Sequence, residues 1–317
     1  MKKSLALLAA VPLVALLAAC GADAKDGGKT SVVASFYPYA YVAEQVGGSF
    51  VDVQNLTAPG AEPHDLELKP KQVAAVQEAD LVIFQEHFQP AVDTAVEQAE
   101  RSKQDTVDVA TLITLDAASG EDDEAHHDED EDGHHEEDGH DHGEGTDPHV
   151  WLDPQNMRVI TNAVEVQLSK ADSAHADEFR ANADRLLAKL DKLGADFQEG
   201  LATCRTRTIV TSHAAFHYLA AQFDLKQMPI AGIDPSNEPS PSQLADITDL
   251  VRKKGITTIF TEELVSPAIA KTIARETGTS VATLDPIEGL SADTKDETYL
   301  TLMEQNLTAL KKANGCT

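Results

Sequence analysis

Short β-branched and aromatic runs alternate along the chain with longer stretches whose apolar residues recur every three or four positions. Runs at 31–36, 51–56, 81–84 and 106–109 predict strands, and the intervening patterns at 71–79 and 89–102 predict helices. Two further helices are predicted at 155–169 and 174–201. In the second, Phe179, Leu186, Leu187, Leu190, Leu193 and Phe197 make an apolar stripe opposite a charged face. Strand patterns then resume at 208–211, 226–230, 257–260 and 280–284, separated or followed by helical patterns near 214–222, 241–254, 267–277 and 296–312. Repeated β-α-β order predicts an α/β protein of two βα lobes with parallel sheets covered by helices on both faces. The lobes cover 31–172 and 203–317, and the helix at 173–202 joins them as a strut roughly 40 Å long at 1.5 Å per residue. A flexible linker would be rich in Gly, Ser or Pro; this segment is rich in Leu and Ala.

The first residues do not fit this alternation. Lys2 and Lys3 precede an apolar run over 5–19 that ends Leu17-Ala18-Ala19-Cys20. A basic start, a short apolar stretch and small residues before a boundary describe a secretory signal over 1–19, too short for an ordinary transmembrane helix. Cys directly after Leu-Ala-Ala resembles a bacterial lipobox, in which the Cys20 thiol is lipidated and becomes the mature N-terminus. An ordinary signal peptide beside an incidental Cys is the alternative. Residues 20–30 read as a tether from the lipid anchor, which places the protein outside the cytoplasm on the cell membrane.

Two cysteines remain, Cys204 and Cys316. In an oxidising compartment an isolated pair predicts a disulfide, here pinning the C-terminus to the start of the second lobe. A loop of that length is worth about 4–5 kcal/mol at most in the chain-entropy model. A two-cysteine metal site is the rival, but neither cysteine sits in a C-x-x-C spacing.

Charge adds a second theme. Of 317 residues, 54 are acidic and 25 basic, a net charge of -29. Loss of 1–19 leaves 23 basic residues and a net charge of -31. Such an acid excess argues against nucleic-acid partners, which require clustered Lys and Arg. The acid is concentrated: residues 121–144 hold 14 of the 54 acidic side chains, no Lys or Arg, and six of the twelve histidines. With almost no apolar residues, the stretch 120–145 reads as a disordered loop. Its bland reading is a solvated, self-repelling insertion. The sharper one is a weak, multivalent cation collector built on His126, His127, His134, His135, His140 and His142.

Ligands in open α/β sheets bind beyond the carboxyl ends of the strands. His64 follows the strand at 51–56, His213 follows 208–211, Asp285 follows 280–284, and His149 lies just past the acidic loop. Three imidazoles and a carboxylate make an N₃O set suited to Zn²⁺. Glu62, two residues before His64, could supply or tune the fourth position, or be a solvated loop acid. Trp151, the single Trp, is expected to pack beside the His149 loop.

The segments Ser35-Phe-Tyr-Pro38 to Gly47-Gly48, Gly60-Ala-Glu-Pro-His64, Asp147-Pro-His-Val-Trp-Leu-Asp-Pro154, Thr211-Ser-His-Ala-Ala-Phe216 and Leu284-Asp-Pro286 together resemble the metal-binding receptors of bacterial ABC importers, in the zinc-uptake branch. The resemblance implies two βα lobes joined by one long helix, with metal in the cleft between them. It implies His64, His149, His213 and Asp285 as ligands, an ABC permease with its ATPase as partners, a monomeric receptor and no catalysis. Manganese-binding relatives carry a carboxylate at the position matching His213, so three histidines favour zinc over manganese. They also generally lack the His-rich loop.

Two other classes compete. His213 and His217 stand i, i+4 as in zinc hydrolases, but Ala214 replaces the Glu base of H-E-x-x-H. Four protein ligands would also leave no open position for an activated water. A surface adhesin is the other alternative, since receptors of this family are sometimes credited with adhesion.

Overall fold

The structure, a computed structural model, describes residues 28–117 and 145–317. The leader, Cys20 and the six loop histidines at 126–142 lie outside the described residues.

The first half contains β1 (Thr30–Ala34), α1 (Tyr37–Gly47), β2 (Val51–Asn55), α2 (Pro70–Glu78), β3 (Leu81–Phe84), α3 (Pro90–Gln98) and β4 (Thr106–Asp108). Two packed helices follow, α4 (Pro154–Ala171) and α5 (Ala176–Gly200). The second half contains β5 (Thr208–Thr211), α6 (His217–Gln222), β6 (Lys226–Pro229), α7 (Pro241–Lys254), β7 (Thr258–Thr261), α8 (Ala268–Thr277), β8 (Ser280–Thr283) and α9 (Tyr299–Asn314). All eight strands fall within two residues of the positions that the sequence pattern predicts. Each half builds a four-stranded, wholly parallel sheet, in the orders β2-β1-β3-β4 and β6-β5-β7-β8. In each, the order reverses beside the first strand, which creates a crevice at the carboxyl ends.

Successive strand residues face opposite sides, and along the central strands β1, β3, β5 and β7 both sides are buried, as in parallel sheets covered on both faces. Val32, Leu81, Ile209 and Phe260 enter one large core that also holds α1, α4, α5 and α9 and spans both halves. Their neighbours turn away into two smaller cores. Val33 and Val82 meet Val76 of α2 and Val92 of α3, while Val210 and Ile259 meet Val251 of α7 and Ile273 of α8. Helix α5 buries Phe179, Leu186, Leu190, Leu193 and Phe197 from the predicted stripe, against α1 and α4 on one side and α9 on the other.

The pattern does not reveal α1. Pro38 through Ala43 and Val46 are all buried, so this helix is apolar on nearly every side and lacks the polar stripe that makes a helix legible. It ends at Gly47-Gly48, where a Cβ on Gly47 would stand 2.3 Å from Val51 Cγ1 and Gly48 takes φ 58°. Only glycines allow the chain to double back so tightly into β2.

Direct bonds tie the halves together. Trp151 Nε1 donates to Pro286 O at 2.7 Å, Tyr299 Oη donates to Trp151 O at 2.6 Å, and Gly60 N donates to Leu290 O at 2.8 Å. The Cys204–Cys316 disulfide is present and fastens the chain two residues past α9 to the start of the second half. Among the described residues no helix is long and apolar enough to cross a membrane.

Candidate metal site

Four side chains from four separate loops converge where the two halves meet. His64 lies in the loop after β2, and His149 opens the 3-10 turn Val150–Leu152 that leads into α4. His213 stands two residues beyond β5, and Glu288 lies in the loop after β8. Their ligand atoms all lie within 4.8 Å of one another. Glu288 Oε1 is 3.3 Å from Nε2 of each of His64, His149 and His213, and the Nε2 atoms of His149 and His213 are also 3.3 Å apart. A tetrahedron of donors about 2.0–2.1 Å from a central ion has edges of about 3.3 Å, so these spacings suit Zn²⁺.

Two carboxylates set the direction of the imidazoles. Asp147 Oδ1 accepts from His149 Nδ1 at 2.8 Å, and Glu262 Oε1 accepts from His213 Nδ1 at 2.7 Å. The same oxygens accept the backbone N–H groups of His149 and His213. An acceptor at Nδ1 fixes the proton there and turns the Nε2 lone pair toward the ion, while the negative partner raises ring basicity. Glu262 directly follows β7, so it obeys the strand-end rule that finds His213.

The electrostatics follow from burial. His149, His213 and Glu288 are almost fully buried. Burial alone would lower both imidazoles. Hydrogen bonds to Asp147 and Glu288 outweigh it at His149, and the charges of Glu262 and Glu288 raise His213 well above its ordinary value. Burial alone would raise Glu288, but the His213 charge and hydrogen bonds from the three imidazoles hold it well below the usual carboxylate range. Such a cluster exchanges protons for a cation.

Asp285 requires a correction. The cluster contains Glu288 in the fourth position, and Asp285 is not among its members. Asp285 Oδ1 instead accepts from Ile287 N at 2.7 Å, while its backbone N–H and carbonyl are both bonded by the side chain of Asn306. Ile287 takes φ 57°, an uncommon conformation for a β-branched residue. This turn, braced by Asp285, Asn306 and the Trp151–Pro286 bond, delivers the carboxylate three residues later. Burial, partly opposed by the Ile287 N–H, pushes Asp285 up to about 7.

Glu62 stands beside the cluster. Its Oε1 accepts from His64 N at 3.2 Å and lies 4.0 Å from His64 Nε2. Burial and the Glu288 charge push it up to about 8. His217 points elsewhere, with Nε2 3.1 Å from Asp116 Oδ2, so the i, i+4 histidine pair does not share a site. The Trp151 ring packs 5.1 Å from that of His149.

A family model described as "Zinc-uptake complex component A periplasmic" matches residues 32–313. The chain belongs to this family. Among ZnuA-like relatives, the zinc-binding lipoprotein AdcA of Streptococcus pneumoniae is 36% identical over 313 residues, 98% of this chain. The chain spans only 61% of that relative's length. The high-affinity zinc uptake system protein ZnuA of Bacillus subtilis is 35% identical over 307 residues, 93% of each chain. Among solved structures, the Zn(II)-bound ZnuA-like domain of S. pneumoniae AdcA superposes with a TM-score of 0.74 at 32% identity, covering 90% of this chain and 99% of that one. The laminin-binding protein Lmb of Streptococcus agalactiae, described as bifunctional with adhesin and metal-transporting activity, gives 0.75 at 31% identity over 90% and 99% of the two chains.

Proposed function

We propose that this chain is an extracytoplasmic receptor that binds Zn²⁺ tightly through His64, His149, His213 and Glu288 and delivers it to an ABC permease. The observation that carries this reading is the set of 3.3 Å spacings between Glu288 Oε1 and three Nε2 atoms. Zinc is the cargo, and the chain's own groups supply binding and orientation. With imidazole at His213 and one carboxylate, the donor set favours zinc over manganese, which is better served by oxygen. All four positions belong to protein side chains, so no position is held open for a reacting water, which supports a binding role over hydrolysis. The zinc-uptake relatives support the same assignment.

The receptor works as a monomer anchored through a lipid on Cys20, with the permease and its ATPase as partners. Residues 1–19 are removed, 20–30 form the tether, and 31–172 and 203–317 are lobes joined by the helix within 173–202. His126, His127, His134, His135, His140 and His142 act as weak collectors, and Glu62 is an accessory to the tight site. Calorimetry on the chain lacking 121–144 tests this division. One tight zinc site should remain while the weak ones vanish, and His64→Ala or His213→Ala should abolish it. Retention of tight binding by either variant refutes the assignment.

A further inference from the structure

The five residues after β3 direct two glutamine side chains to the two first-half histidines. Gln85 Nε2 donates to Pro148 O at 2.9 Å, and Gln89 Nε2 donates to Pro63 O at 3.1 Å. Each carbonyl belongs to the residue directly before a histidine of the cluster, His149 or His64. A carbonyl can only accept, so each amide must present its NH₂ group inward. Gln85 and Gln89 are 2% and 1% exposed.

Their other bonds fix them in place. Gln85 Oε1 accepts from Tyr39 Oη at 2.5 Å. Gln89 Nε2 also reaches Thr57 Oγ1 at 3.2 Å, and that hydroxyl donates onward to Ser35 O. Among the described residues, Gln89 Oε1 is buried with no hydrogen-bond partner. A buried acceptor left unpaired is costly, so the residue type is explained by its donor. Between the two, Phe88 meets the His64 ring edge-on at 4.9 Å. The exposed His87 takes φ 71°, and its N–H is held by Asp93 Oδ2 at 2.9 Å. That left-handed residue lets the chain reverse so that residues 85, 88 and 89 are all buried.

We infer that Gln85 and Gln89 are positioning residues that hold His149 and His64 at ligand spacing before the ion arrives. The inference rests on the zinc-receptor reading above. The loop 85–89 thereby makes the first-half pair a preformed half-site, and His213 and Glu288 of the second half complete it. Groups bonded directly to a ligating side chain typically contribute about 10–100-fold to metal affinity; acting through the preceding carbonyl, each glutamine contributes up to about tenfold.

The test uses the full chain with Gln85→Met and Gln89→Met, which keep volume and remove the donor. Zinc affinity is measured by competition with a chelator, and the ligand field by the visible absorption of bound Co²⁺. Each variant should bind zinc more weakly, by up to about tenfold, and shift the Co²⁺ bands, and Gln→Asn variants, too short to reach, should do the same. The Asn variants also serve if the Met variants do not fold. Wild-type affinity together with wild-type Co²⁺ bands in the variants overturns the inference. A wild-type protein without tight zinc binding would overturn the receptor reading instead, so the two failures are separable.

Discussion

Zinc binding should be coupled to proton release, and the size of the coupling follows from the site. His213 is held well above an ordinary imidazole, and His149 is raised. Both must be neutral at Nε2 to ligate. Below its raised value, each protonated imidazole costs up to about a tenfold drop in affinity per pH unit. Two such groups give up to about a hundredfold per unit on the acidic side. Glu62, pushed up to about 8, and Asp285, pushed up to about 7, lose protons more readily beside a divalent cation and steepen the response. The same shifts act oppositely on the zinc-free protein. All four groups have raised values in the fold, so their stabilising contribution is complete below the unfolded values and is lost as pH rises through the folded ones. The zinc-free melting temperature should therefore fall between about pH 5 and pH 8, while the zinc-induced increment in melting temperature grows. Calorimetric titration in two buffers of different ionisation enthalpy counts the protons released. Zero release near pH 6.5, with affinity flat from pH 5.5 to 7.5, would refute the reasoning.

Three further outcomes follow from named contacts. Glu288→Gln should weaken zinc binding by at least about a hundredfold in a chelator competition, because it removes the cluster's only carboxylate, whereas Asp285→Asn keeps the Oδ1 acceptor for Ile287 and should cost less than about tenfold. Trp151→Phe removes the Nε1 bond to Pro286 O and leaves a buried carbonyl unpaired, so denaturant unfolding should show a loss of about 1–3 kcal/mol. Reducing the Cys204–Cys316 disulfide should lower stability by about 2–4 kcal/mol with unchanged zinc affinity, since no cluster residue is touched; guanidinium melts with and without reductant, plus a zinc titration, check both halves.

The sequence made the strands and the three histidines legible, because β-branched runs mark parallel strands and ligands gather at their carboxyl ends. Helix α1 was hidden because a helix buried on nearly all sides has no period to detect. Glu262 was within reach, since the strand-end rule applied at β5 applies equally at β7; Asp147, two residues before His149, sat inside a recognised segment without an assigned role. Gln85 was equally near, one residue past β3. The fourth ligand position was not legible. Asp285 and Glu288 share one short loop, and which of them faces the histidines depends on the left-handed Ile287, the Asn306 clamp and a bond from Trp151, 135 residues away in sequence. These are tertiary facts that a strand-end rule does not encode.

Anomalous diffraction at the zinc edge from crystals of the zinc-loaded chain tests the central claim most directly. A single strong peak should lie about 2.0–2.1 Å from Nε2 of His64, His149 and His213 and from a carboxylate oxygen of Glu288, with Asp285 still bonded to Ile287 N. A strong peak ligated by Asp285, or one away from these three histidines, would contradict the account.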